Sequence, residues 1–106
     1  MNIDELIFIG LNGYALALHR VTGEEIWRNS EMEGGLTTLL LDEDRLIVST
    51  DGYIYCLNPL NGRIVWENRL HGLGTGITDM TSVRGRNSHS AKQQQALQQQ
   101  QRKSML

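Results

Sequence analysis

The chain has 106 residues, which gives room for one small domain of the usual 50 to 250 residue range but not for two full ones. Its 40% hydrophobic and 21% charged residues exclude collagen-like and wholly disordered classes, and no apolar run approaches the roughly 20 residues that cross a bilayer. The net charge of -2 is unevenly placed: residues 1–83 carry all the acidic residues and a net -7, whereas residues 84–106 carry +5.

At the N-terminus Asp4 and Glu5 stand where a secretory leader needs basic residues followed by an apolar stretch, so a cytoplasmic location is expected. From there the chain repeats. Residues 7–29 align with residues 46–68 at an offset of 39, placing Gly13, Tyr14, Leu18, Gly23, Trp27 and Asn29 on Gly52, Tyr53, Leu57, Gly62, Trp66 and Asn68. A period of roughly 20 to 50 residues marks a repeat architecture.

In the first copy Leu6 to Ile9 and Tyr14 to Leu18 flank Asn12-Gly13; in the second, Leu46 to Val48 and Tyr53 to Leu57 flank Asp51-Gly52. Asn-Gly and Asp-Gly between apolar runs predict tight hairpins, because a type I′ turn needs positive φ at both central residues. The runs are apolar on consecutive positions, which predicts central strands covered on both faces. Thr22-Gly23 and Asn61-Gly62 supply a second turn in each copy, ahead of a short strand around Ile26-Trp27 or Val65-Trp66. Leu36 to Leu41, closed by the charged turn Asp42 to Arg45, adds a first strand to the second copy. Its four antiparallel strands form a propeller blade.

The chain thus opens on a second strand, and Ile77 to Val83 falls where a further first strand belongs. Two blades do not close a ring, since propellers have roughly 4 to 8. The expected solution is a head-to-tail homo-oligomer in which Ile77, Thr78, Met80 and Val83 form an inter-subunit strand. It completes the first blade of a neighbour, and three or four copies close a ring of six or eight blades. The alternative is a fragment of a longer propeller. Residues 1–83 are assigned to this repeat domain and residues 84–106 to a basic, Gln-rich tail. Disorder is expected of the tail, with a frayed helix after a Ser90 cap as the alternative.

The stretches Ala17 to Trp27 and Cys56 to Trp66 resemble the tryptophan-docking repeat of the pyrroloquinoline quinone (PQQ) propeller family, which reads Ala, Asp two residues on, Thr-Gly-Lys, then Trp. Gly23, Trp27, Gly62 and Trp66 match; Ala17 and Thr22 match in the first copy alone. His19 and Asn58 replace the Asp, and Glu24 and Arg63 the Lys. WD40 blades fit less well, because Arg28 and Glu67 follow the tryptophans. The resemblance implies an all-β fold of four-stranded blades in which each tryptophan packs between blades. Gly13, Tyr14, Gly23, Trp27, Gly52, Tyr53, Gly62 and Trp66 therefore read as structural repeat positions.

A search for chemistry finds no catalytic, metal or cofactor residues to assign. His19, His71 and His89 lie outside metal-ligand spacings, and Gly72 to Gly76 lacks the spacing of either phosphate-binding loop. The Asp42 to Asp44 cluster reads as a solvated turn, and unpaired Cys56 as a buried, reduced thiol. The residues favour a non-catalytic interaction or scaffold module that binds a protein or small ligand. The alternative is a piece of a PQQ-dependent oxidoreductase, which would bring PQQ and calcium. No membrane partner is expected, and nucleic-acid contact through the sparse basic tail is not favoured.

Overall fold

The computed structural model describes residues 1–85, and the tail from 86 onward, with His89 and the Ser90 cap, lies outside the described residues. After a 3-10 turn at Ile3–Glu5 come seven strands. They are β1 (Leu6–Leu11), β2 (Tyr14–His19), β3 (Glu25–Asn29), β4 (Thr37–Asp42), β5 (Arg45–Thr50), β6 (Tyr53–Leu57) and β7 (Ile64–Asn68). They form two antiparallel sheets, β1-β2-β3 and β4-β5-β6-β7, an all-β arrangement of one three-stranded and one four-stranded blade. Among the described residues no helix is long and apolar enough to cross a membrane.

The hairpins form where the turn chemistry places them. Asn12 and Gly13 have φ of 51° and 81°, and Asp51 and Gly52 have 52° and 97°, so both turns carry the paired positive φ that matches strand twist. Leu11 pairs with Tyr14 and Thr50 with Tyr53 directly across them, so β1 runs two residues beyond the expected Ile9. β4 is shifted by one residue from the expected Leu36 to Leu41, because Asp42 pairs with Arg45 across a two-residue turn. Each blade also has a bulge at the same repeat position, between Ala17 and Leu18 and between Cys56 and Leu57.

The core lies between the two sheets. Leu6, Ala15, Ala17 and Trp27 of the first blade meet Leu46, Val48, Tyr55 and Leu57 of the second, with Met32 from the connection between them. The connection is held by polar contacts. The Asp51 carboxylate accepts from the Gly35 and Leu36 backbone N–H groups at 2.7 and 2.8 Å, and the Tyr55 hydroxyl accepts from Glu33 N–H at 3.2 Å. Hydrogen bonds to a charged acceptor contribute about 1.5–3 kcal/mol each, which fixes where the second blade starts relative to the first.

Ile77 to Val83 forms no strand among the described residues. The ladder that defines a strand needs a neighbour's N–H and C=O groups, and the one pairing here is an isolated bridge between Asp42 and Gly85. The segment instead lies on the second blade, with Ser49 Oγ donating to Thr78 Oγ1 at 2.7 Å, Thr38 Oγ1 to the Thr78 carbonyl at 3.3 Å, and Ser82 Oγ to Asp42 at 3.0 Å.

Candidate functional site

The turn after each hairpin is built by side chains that satisfy backbone donors. His19 Nδ1 accepts from the Val21 and Thr22 N–H groups at 3.2 and 3.4 Å, and Asn58 Oδ1 accepts from Leu60 N–H at 2.9 Å. His19 and Asn58 thus both act as acceptors closing a turn, although neither is an aspartate. The turns end on Gly23 and Gly62, at φ of 76° and 77°, a left-handed conformation that glycine adopts without a Cβ penalty.

Trp27 of the first blade reaches across to the second of these turns. Its Nε1 donates to the Pro59 carbonyl at 2.8 Å, and its ring covers Gly62 so closely that a Cβ there would collide with it. Asn29, two residues on and on the same side of β3, donates from Nδ2 to the Gly62 carbonyl at 2.7 Å. Phe8 flanks the indole with ring centroids 6.2 Å apart. This seam of one indole, one amide and one glycine turn joins the blades, and sequence reading missed Asn29 although its identity with Asn68 marks it.

The same elements recur on the outer faces of the blade pair, without a partner among the described residues. Trp27 is 9% exposed, whereas Trp66, its equivalent 39 residues on, is 46% exposed. On the opposite outer face the contrast reverses. Leu46, 1% exposed, packs in the core with the first blade, and Thr50, 0% exposed, lies under the connecting segment with its Oγ1 donating to the Glu33 carbonyl, while their equivalents Ile7 and Leu11 are 51% and 61% exposed. Tyr14 is exposed, while Tyr53 is half-buried under the Arg69 guanidinium, 5.3 Å from the ring centroid. Gly13 and Gly52 sit at the hairpin tips against the connecting segments, near the Gly34 and Gly74 carbonyls. Ile77 and Val83 are exposed, and Thr78 and Met80 half-buried.

Among the described residues no group of three or more His, Cys, Asp or Glu is placed to hold a metal. Asp42 of the acidic turn is engaged by Ser82 and lies 3.8 Å from Arg84. This donor set does not fit calcium, which takes six to eight oxygens, nor a quinone held through it. A cleft of about 450 Å³ is open and lies beside the seam between Arg28, Glu31 and Arg63. Its mouth is too wide to enclose most of a small ligand's surface.

Cys56 is fully buried, and burial pushes its thiol up from the ordinary value, with nearby Arg45 offsetting part of the rise. The nucleophilic thiolate is therefore scarce at neutral pH. Iodoacetamide is expected to leave Cys56 unmodified in the folded chain and to alkylate it in concentrated urea, as read by intact mass. Ready labelling of the native chain would contradict the packing described.

Comparison with known proteins agrees with this geometry. A protein relative, tetrathionate hydrolase of Acidithiobacillus ferrooxidans, is 31% identical over 75 residues, covering 65% of this chain and 15% of its own length. The chain therefore spans a small part of that relative. The family model described as outer membrane protein assembly factor BamB matches residues 8–103, nearly the whole chain. With that match and two blades joined through a repeated tryptophan, the chain belongs to the PQQ-like repeat family of the outer membrane protein assembly factor BamB.

Proposed function

We propose that this chain is a non-catalytic interaction module that builds a propeller from copies of itself. Three or four copies stack blade on blade, head to tail, into a ring of six or eight blades, and the ring surface or central channel binds a protein or small ligand. One observation carries the reading: the residues buried at the internal seam have exposed equivalents on the outer faces. Trp66 stands ready to do what Trp27 does, and Ile7 and Leu11 to be covered as Leu46 and Thr50 are. Clustered exposed apolar side chains mark interaction sites, and a heterologous contact that closes by rotation yields a cyclic oligomer.

Native mass spectrometry at micromolar concentration is expected to give species at three or four times the 12.0 kDa chain mass. A folded monomer under those conditions would overturn the ring.

The likeness to tetrathionate hydrolase favours a second reading, in which the two blades are part of a longer propeller whose remaining blades cover both outer faces. That reading predicts a monomer. A quinone-dependent oxidoreductase predicts in addition calcium-dependent PQQ binding, which the donor chemistry of residues 1–85 does not favour.

A further inference from the structure

We infer that residues 76–81 of one copy pair with β1 of the next in a single antiparallel register, and that Trp66 of the first copy seats on the Arg20 to Gly23 turn of the second. This rests on the head-to-tail reading and names the contacts by which it closes.

The internal seam serves as the template. Across it, β4 packs over β1 closely enough that a Cβ on Gly10 would come within 3.1 Å of the Leu39 side chain. Advancing both residues by the repeat offset gives Ser49 and Thr78, and these two are in contact through their hydroxyls at 2.7 Å. The connecting segment behaves alike: a Cβ on Gly13 would run into the Gly34 carbonyl, and a Cβ on Gly52 would lie 3.3 Å from the Gly74 carbonyl oxygen. Residues 74–78 therefore leave the second blade along the path by which residues 34–39 leave the first. They stand where the inner strand of a following blade stands.

Within the second blade that inner strand is β4, paired with β5 as Thr37 with Thr50, Thr38 with Ser49, Leu39 with Val48, Leu40 with Ile47 and Leu41 with Leu46. Carried forward by one repeat on the first strand and back by one on the second, the register becomes Gly76 with Leu11, Ile77 with Gly10, Thr78 with Ile9, Asp79 with Phe8 and Met80 with Ile7. Both sides are available. β1 is the edge strand of its sheet, and among the described residues 77–83 have no strand partner. An open edge of this kind takes an added strand through main-chain hydrogen bonds.

The seam's polar contacts transfer by the same step. Trp66 takes the part of Trp27, so its Nε1 donates to the Arg20 carbonyl of the next copy, the equivalent of Pro59. Asn68 takes the part of Asn29 and donates to the Gly23 carbonyl. The receiving surface has room, because a Cβ on Gly23 would meet nothing within 4 Å, whereas the same position on Gly62 is filled by the Trp27 ring.

Disulfide trapping tests the register, because directly opposed residues have Cβ atoms about 4.5–5.5 Å apart while a one-residue slip turns the side chain to the other face. In a Cys56→Ala background, the change that reproduces Ala17 of the other blade, Thr78→Cys with Ile9→Cys is expected to give covalent ladders ending at the ring size under mild oxidation. Asp79→Cys with Ile9→Cys is expected to stay unlinked. Native mass under reducing conditions is read on each variant. Rings that link through Asp79, or not at all, would overturn the register while leaving the assembly standing; a monomeric unsubstituted chain would overturn both. Hydrogen exchange on the unsubstituted chain gives an independent reading: the β1 amides that face its open edge are expected to become protected on assembly, and free exchange within intact rings would exclude the added strand.

Discussion

Replacing Trp27 with Ala is expected to destabilise the blade pair by about 3–5 kcal/mol, the usual cost of deleting a core tryptophan. The indole fills the seam between the sheets against Phe8 and Gly62, so its removal leaves a cavity bounded by both blades. The Pro59 carbonyl also loses its donor, which adds the cost of an unsatisfied buried acceptor. Stability of small domains is roughly 5–15 kcal/mol in total, so the loss takes a large share of it and lowers the urea midpoint accordingly. Trp66→Ala is expected to behave differently. Its side chain is 46% exposed and closes no internal cavity, so the fold is retained while the assembly shifts to smaller masses. Urea unfolding followed by far-ultraviolet circular dichroism, paired with native mass on the same samples, separates the two effects. Equal loss of stability in both variants would show that the tryptophans do not have the unequal roles the seam gives them.

Local turn chemistry made much of this fold readable from sequence. Asn12-Gly13 and Asp51-Gly52 place two hairpins because few other dipeptides accept paired positive φ, and the structure has both. The 39-residue offset placed Trp27 and Trp66 in equivalent strands, β3 and β7, for the same reason that it aligned Gly23 with Gly62: each blade needs the same turn and the same anchor. The paired bulges at Ala17 and Cys56 were not legible, since a bulge is a property of two strands in register and neither residue signals one. The role of Asn29 was likewise hidden, because its partner is a backbone carbonyl 33 residues away. The lack of a ladder along 77–83 follows from what a strand is. An apolar run marks a segment able to pair, and among the described residues no strand pairs with this one.

The two turn glycines give a sharper test, because they share a backbone conformation and differ in what surrounds them. Gly23 and Gly62 have φ of 76° and 77°, so alanine at either position incurs the left-handed penalty of about 1–2 kcal/mol. At Gly23 that is the whole cost within one chain, since its Cβ enters open space. At Gly62 the Cβ drives into the Trp27 ring, and overpacking a filled site adds about 1–3 kcal/mol. Moving the indole aside also draws its Nε1 from the Pro59 carbonyl and separates the Asn29 amide from the Gly62 carbonyl. Gly62→Ala is therefore expected to lower the urea midpoint more than Gly23→Ala when both are measured on dilute, dissociated chain. In the proposed ring the Gly23 methyl would meet Trp66 of the neighbouring copy, so Gly23→Ala is expected in addition to weaken assembly. A Gly23→Ala variant that assembles as strongly as the unsubstituted chain would place Trp66 elsewhere.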